Sequence, residues 1–130
     1  GEIKDVDTML IIGSNPTEAH PIIGLEMKKA RARGARMIVC DPRRTWVAEH
    51  ADIHVQHKPG TDNMLVNAMM GHILEQGLHD PEFSASRCEG FEAFRANLDG
   101  FSVEEAAEVC DVDVYLIRRD ADMYAQGEPT

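Results

Sequence analysis

The chain has few cysteines, and their spacing argues against a cross-linked or metal-stabilised framework. Cys40, Cys88 and Cys110 are odd in number and widely separated, with no CxxC pair and no histidine at a zinc-finger distance. We therefore expect neither disulfides nor a metal site. A reducing compartment, the cytoplasm, fits best, although a longer parent protein could be exported.

Positive charge is also scarce, with 13 Lys and Arg against 23 Asp and Glu. No basic stretch is dense enough to follow a phosphate backbone, so neither nucleic acid nor an anionic membrane surface is an expected partner. No apolar run approaches the length of a membrane span, and no secretory start is visible, so membrane insertion is not expected. Any anion bound here must be held locally.

Three short segments predict the strands: residues 7–13 and 35–40 have apolar runs at their centres, and residues 52–56 alternate Ile53 and Val55 with His54. A wholly apolar run bounded by turn residues is typical of a strand buried on both faces, which favours a parallel sheet. The third run is the shortest and is expected near an edge. No strand-like run follows residue 56, so the first half of the chain supplies the sheet and the second half covers it.

Apolar residues at helical spacing predict the remaining elements. Pro21 suits the first turn of a helix, and Thr61 is placed to cap another. The predicted helices span residues 21–33, 45–50, 61–76, 81–87, 90–97, 102–110 and 113–126. The fold class is α/β: a Rossmann-like, three-layer α/β/α single domain over residues 1–130, with a short, mostly parallel sheet and a helical second half. The abrupt ends at Gly1 and Thr130 lead us to expect a segment of a longer protein.

Ligands of open parallel sheets bind beyond the carboxyl ends of the strands, which here means residues 13–20, 41–44 and 58–62. Gly13 lets the backbone approach a pyrophosphate near a helix start. Asp41 is placed to accept hydrogen bonds from ribose hydroxyls, and Arg43 to reach a phosphate. Asp62 can accept two parallel N–H bonds from the Watson–Crick edge of guanine. The pattern predicts a purine nucleotide, guanine in particular.

Plainer interpretations compete with this hypothesis. The sequence Gly-Ser-Asn-Pro has one glycine where a dinucleotide fingerprint needs three, so a generic NAD-binding domain is a disfavoured alternative. Taken alone, Asp62 fits a helix-dipole partner, Asn15 a turn former and Cys40 a small buried apolar residue. No catalytic arrangement is visible. The histidines expected to be surface or half-buried fillers are His50, His54, His57, His72 and His79, whereas His20 could approach a ligand.

Several motifs occur in a recognisable order along almost the whole chain. They read IIGSNPTEAHP, IVCDPRRT, AEHADIHVQHKPGTD, LHDPEFSASRCEGFEAFR and IRRDADMYAQ. In this order they resemble the molybdopterin oxidoreductase family, most closely the formate dehydrogenase alpha (catalytic) subunits. Asp120 departs from the family pattern, in which a small apolar residue is usual at this position.

The resemblance implies a nucleotide-binding domain of a large subunit that holds a molybdenum or tungsten molybdopterin guanine dinucleotide and a 4Fe–4S cluster. Each predicted loop matches a cofactor loop of the family. The implied cofactor-binding residues are Gly13, Asn15, Glu18 and His20 in the first loop, Cys40, Asp41 and Arg43 in the second, and Gly60 and Asp62 in the third.

The implied activity is the two-electron oxidation of formate to carbon dioxide in the parent protein. The metal-ligating cysteine or selenocysteine and the cluster cysteines of the family have no counterpart in this sequence. The chain is therefore expected to bind cofactor without catalysing the reaction alone. Its implied partners are the remaining domains of the parent subunit and electron-transfer subunits. An alternative is a cofactor-less structural domain of a complex I-type large iron–sulfur subunit.

Overall fold

A computed structural model describes residues 2–127. Gly1 and residues 128–130, the ends that suggested a longer parent protein, lie outside the described residues. Three strands form one parallel sheet in the order β1 (Thr8–Ile12), β2 (Arg36–Cys40) and β3 (Ile53–Val55). The register pairs Ile12 with Cys40 and Cys40 with Val55, so the three carboxyl ends lie level at one edge.

The described part of the chain also contains eight α-helices, after a short 3-10 helix at Glu2–Asp5. They are α1 (Pro16–Ala19), α2 (Pro21–Ala32), α3 (Trp46–Glu49), α4 (Asp62–Glu75), α5 (Pro81–Arg87), α6 (Phe91–Leu98), α7 (Val103–Cys110) and α8 (Val114–Ala125). Within residues 2–127, none of these helices is long and apolar enough to cross a membrane.

The two faces of the sheet bury different sets of side chains because successive residues of a strand point in opposite directions. Met37 and Val39 pack on one face with residues of α2 and α3. Ile38, Cys40 and Val55 pack on the other face with residues of α4, α7 and α8. The helices therefore form a layer on each side of the sheet, which confirms the predicted α/β fold and the helical second half.

The predicted strands and helices are present, with ends that differ by a few residues. One element was not predicted: the loop after β1 contains the short helix α1, which begins at Pro16. Thr61 occupies the N-cap position of α4 as expected, but its hydroxyl donates to the carbonyl of Lys58 at 2.7 Å instead of accepting from the helix. The turn before α4 is thereby closed on itself.

Asp120 on α8 is the least expected residue of the core. Its side chain is fully buried, Oδ2 accepts a hydrogen bond from the thiol of Cys40 at 3.5 Å, and Oδ1 has no partner among the described residues. Burial raises the pKa of Asp120 to about 7, although the Cys40 hydrogen bond acts in the opposite direction. Burial, reinforced by the Asp120 charge, likewise raises the pKa of the Cys40 thiol. Helix α8 packs on β1 and β3 despite this acid.

We expect the Asp120→Asn substitution to stabilise the fold increasingly as the pH rises. An unfolded aspartate loses its proton near pH 4, whereas folded Asp120 keeps it to about pH 7, so the native acid loses stability across this interval. The advantage of the variant should grow between about pH 4 and 7, by on the order of 4 kcal/mol, and then level off. Urea unfolding of both proteins at several pH values measures the difference. A constant difference would contradict the buried-acid interpretation.

Candidate functional site

The loops after β1 and β3 meet above the end of β2. Gly13 adopts a positive φ of 57°, which glycine tolerates without strain, and its N–H donates to the carbonyl of Cys40 at 3.0 Å. A Cβ added to Gly13 would lie 3.8 Å from Oδ1 of Asp62. The first and third predicted loops therefore lie close enough that any side chain at position 13 would contact Asp62.

Asp41 and Arg43 form a closed pair in the second loop. Asp41 is fully buried, and Oδ1 accepts from the backbone N–H of Arg43 at 2.8 Å and from its Nε at 3.2 Å. Oδ2 accepts from Nη2 of the same guanidinium, also at 3.2 Å. Burial alone would raise the pKa of Asp41, but the Arg43 hydrogen bonds and positive charge outweigh it and lower that pKa. The Arg43 side chain remains 67% exposed, so its charge still faces solvent.

Strand β3 and the residue after it tie the second loop to the sheet. His54 contacts the carbonyl of Asp41 through Nε2 at 2.8 Å. Gln56 donates to the carbonyl of Pro42 at 2.7 Å. The position of the Asp41–Arg43 pair therefore depends on a neighbouring strand as well as on its own turn.

The third loop is organised by a buried histidine. The His57 side chain has no exposed surface, and its Nε2 contacts Oδ1 of Asp62 at 3.0 Å. The backbone N–H of Lys58 donates to the carbonyl of Cys110 at the end of α7, at 2.8 Å. Asp62 itself is 46% exposed, and no described residue donates to its Oδ2. His57 therefore holds one oxygen of this half-exposed carboxylate, and the other has no partner among the described residues.

The side chains of the first loop make few contacts with the other two loops. Oδ1 of Asn15 accepts from the hydroxyl of Thr17 at 2.7 Å, which holds the amide within its own turn. Glu18 and His20 are exposed. The hydrogen bond from Arg43 to Asp41 raises the pKa of Arg43, and the nearby negative charge of Glu18 adds to this. Glu18 of the first loop therefore lies close enough to Arg43 of the second for the two charges to interact.

The predicted site residues fall into two groups by position. Cys40 is fully buried beneath the edge, with its thiol towards Asp120, so only its backbone belongs to the edge. Those that lie on the three loops are Gly13, Asn15, Glu18, His20, Asp41, Arg43, Gly60 and Asp62. That any of them binds a cofactor stays a prediction.

Two histidines that were expected to be fillers belong to this edge, and a third forms a buried pair elsewhere. His54 and His57 hold the second and third loops, and buried His72 contacts Asp122 at 2.9 Å. The one sequence signal for His57 is its place five residues before Asp62, across a Pro-Gly turn. That spacing has meaning only once the turn folds back.

The edge offers a half-exposed carboxylate, an exposed guanidinium and close backbone access at Gly13. These groups suit a ligand with paired N–H donors at one end and an anionic group at the other. Among residues 2–127, no three His, Cys, Asp or Glu side chains are grouped so as to hold a metal ion.

Comparison with known proteins identifies close relatives of this arrangement. The sequence profile described as molybdopterin oxidoreductase matches residues 1–123. A formate dehydrogenase alpha subunit of Methanocaldococcus jannaschii is 42% identical, over 98% of this chain and 19% of its own length. Formate dehydrogenase H of Escherichia coli is 40% identical, over 98% of this chain and 18% of its own length.

Relatives with other names match as well. A nitrate reductase of Symbiobacterium thermophilum is 37% identical, over 99% of this chain and 19% of its own length. The solved structure of acetylene hydratase from Pelobacter acetylenicus superposes with a TM-score of 0.89 at 35% identity, over 95% of this chain and 17% of that one. The chain spans less than a fifth of the length of each of these proteins.

We expect the Arg43→Gln substitution to raise the pKa of Asp41. Burial favours the neutral acid, and the guanidinium opposes it through hydrogen bonds and charge, so the burial effect should dominate once the charge is removed. An NMR titration of the side-chain carboxyl measures the pKa. Arg44→Gln is the matched control, because Arg44 is exposed and makes no hydrogen bond to Asp41. Equal Asp41 pKa values in both variants would contradict the assignment.

Proposed function

Because this chain belongs to the molybdopterin oxidoreductase family, we propose that it binds and orients the guanine dinucleotide part of a molybdopterin cofactor in a formate dehydrogenase. Membership of this family implies a molybdopterin cofactor. The residues at the edge of the sheet support the guanine form and the orienting role, and the relatives support formate as the substrate. The remaining domains of the parent subunit and electron-transfer subunits are the proposed partners.

The observation that carries the guanine proposal is the placement of Asp62. Its carboxylate stands beside Gly13, with one oxygen held by His57 and the other without a described partner. An ionised aspartate accepts hydrogen bonds and cannot donate them, so it favours a base with adjacent N–H donors. Guanine offers N1–H and an exocyclic amine side by side, whereas adenine presents a ring acceptor beside its amine.

The second loop fits the charged part of the same ligand. Arg43 donates to Asp41 through Nε and Nη2, and its side chain remains largely exposed. The remaining N–H groups of its guanidinium therefore suit a phosphate. Asp41 is engaged by Arg43 at both oxygens, and we propose that it acts by holding the guanidinium and does not itself bind ribose. Gly13 contributes backbone access, and Cys40 contributes its carbonyl, which already anchors Gly13.

When bound, the molybdenum or tungsten of such a cofactor supplies the two-electron redox chemistry, and this chain supplies binding groups alone. Proposing formate as the parent substrate rests on the relatives: the two formate dehydrogenases are 42% and 40% identical, and the nitrate reductase is 37% identical. We expect no formate oxidation by this chain in isolation. The iron–sulfur cluster is proposed for the parent protein.

We expect the Asp62→Asn substitution to weaken guanosine diphosphate binding about tenfold and to leave adenosine diphosphate binding nearly unchanged. The amide replaces an acceptor oxygen by a donor that faces the N–H groups of guanine, and an unmatched pair of this kind costs about 1 to 3 kcal/mol. Isothermal titration of the chain measures both affinities. Both are expected to be weak, because the pterin half of the cofactor is missing from these ligands.

Asp122→Asn is the matched control for this experiment. Asp122 is 44% exposed and accepts from the buried His72, as Asp62 is 46% exposed and accepts from the buried His57. His72 lies ten residues after Asp62 on α4, about 15 Å along the helix. Asp122→Asn should therefore change neither the affinity for guanosine diphosphate nor the affinity for adenosine diphosphate. Equal affinity of the native chain for guanosine and adenosine diphosphates would rule out the guanine assignment.

A further prediction concerns the phosphate end. Asp41→Ala releases the guanidinium of Arg43, so guanosine and adenosine diphosphates should both bind severalfold more weakly, with no change in their ratio. Circular dichroism should show that the domain remains folded. A selective loss of the guanine nucleotide would place Asp41 at the base instead, and an undiminished affinity for both would remove the second loop from the site.

A further inference from the structure

We propose that His57 is a positioning residue for base recognition, which fixes the carboxylate of Asp62 in the plane that guanine requires. This inference rests on the proposed guanine-binding role of Asp62 and adds the element that makes the role selective. The sequence alone gave His57 no such part, because it stood among scattered histidines.

The contacts of His57 show which ring nitrogen donates to Asp62. Nε2 lies 3.0 Å from Oδ1 of Asp62, and Nδ1 lies 3.4 Å from the carbonyl of Val55. A carboxylate oxygen only accepts, so the imidazole must carry a hydrogen on Nε2. The ring is completely buried two residues after β3, and its two nitrogens contact Asp62 and the carbonyl of Val55. His57 is therefore a buried donor directed at one oxygen of a half-exposed side chain.

The turn between the two residues is fixed at several further points. The N–H of Lys58 donates to the carbonyl of Cys110, and the Cys110 thiol donates to the carbonyl of Thr61 at 3.6 Å. The Thr61 hydroxyl closes the turn on Lys58. The backbone of Asp62 is thus set by α7 and by its own turn, which leaves the side-chain torsions as the freedom that His57 removes.

Removing that freedom before binding favours the base that needs two parallel hydrogen bonds. Oδ1 keeps a second lone pair beside the His57 bond, and Oδ2 keeps both of its own, so two N–H groups can still be accepted. A ligand that makes two hydrogen bonds to the carboxylate loses more binding free energy when the carboxylate rotates than a ligand that makes one, because both bonds require the carboxylate in one plane. The effect should therefore appear as a preference for guanine over hypoxanthine, which lacks the exocyclic amine.

The decisive variants are His57→Leu, which fills the space without a donor, and His57→Gln, which restores one donor. In the ligand-free chain, the three-bond couplings of the Asp62 Hβ protons should change from single-rotamer to averaged values in His57→Leu. The preference for guanosine over inosine diphosphate, measured by titration, should fall about fivefold in the same variant. His57→Gln should recover part of both, which a merely structural loss would not do.

His72→Leu is the matched control, because it removes a buried histidine from a carboxylate elsewhere on α4. It should leave the Asp62 couplings and the nucleotide preference unchanged. A folded His57→Leu protein with native couplings, or with the native nucleotide preference, would overturn the proposal. Averaged couplings in a protein whose native form binds both nucleotides equally would support the positioning of Asp62 and reject the guanine-binding function.

A direct measurement keeps the proposal testable if His57→Leu does not fold. The side-chain nitrogen resonances of His57 in the native chain should show a hydrogen on Nε2, and Asp62→Asn should shift them while leaving those of His72 in place. A hydrogen-free Nε2, or resonances that ignore the Asp62 substitution, would overturn the proposed contact.

Discussion

Parallel pairing of three short strands in level register is the constraint on which the rest of this structure depends. Because Ile12 and Val55 both pair with Cys40, each strand ends at the same height and releases its loop at one edge. The N–H of Gly13 then bonds the carbonyl of Cys40, which turns the first loop across the end of β2. A shift of one residue would exchange the faces of a strand and would separate the loops.

The edge has a carboxylate in each of two loops, and a different partner holds each one: exposed Arg43 holds Asp41, and buried His57 holds Asp62. Asp41 is buried and neutralised by Arg43, so its role is internal. Asp62 is half exposed and held at one oxygen by His57, so it remains able to accept. Identical side chains thus differ in availability because of their partners, which is why residue type alone could not assign their roles.

The helical second half does more than cover the sheet. The end of α7 holds the loop before α4 through Cys110, and α8 places Asp120 against Cys40 directly below the edge. The buried acid costs stability when it ionises, and α8 nevertheless packs on the sheet, because apolar neighbours such as Ile117 and Ala121 complete its buried face. Helix α7 therefore contacts the third loop directly, and α8 contacts the end of β2 from which the second loop starts.

The sequence by itself determined the order of the strands and of every helix except α1, the parallel sheet and the three loops, because apolar periodicity and turn residues act locally and leave a readable pattern. It also supported the family, through motifs that recur in order. Only the tertiary structure decided that the Thr61 hydroxyl bonds back to Lys58 and that His57 holds Asp62. It also decided that Arg43 occupies both carboxylate oxygens of Asp41. These contacts depend on the direction and burial of each side chain. Packing between distant elements sets both, and it leaves no recognisable pattern of residue spacing in the sequence.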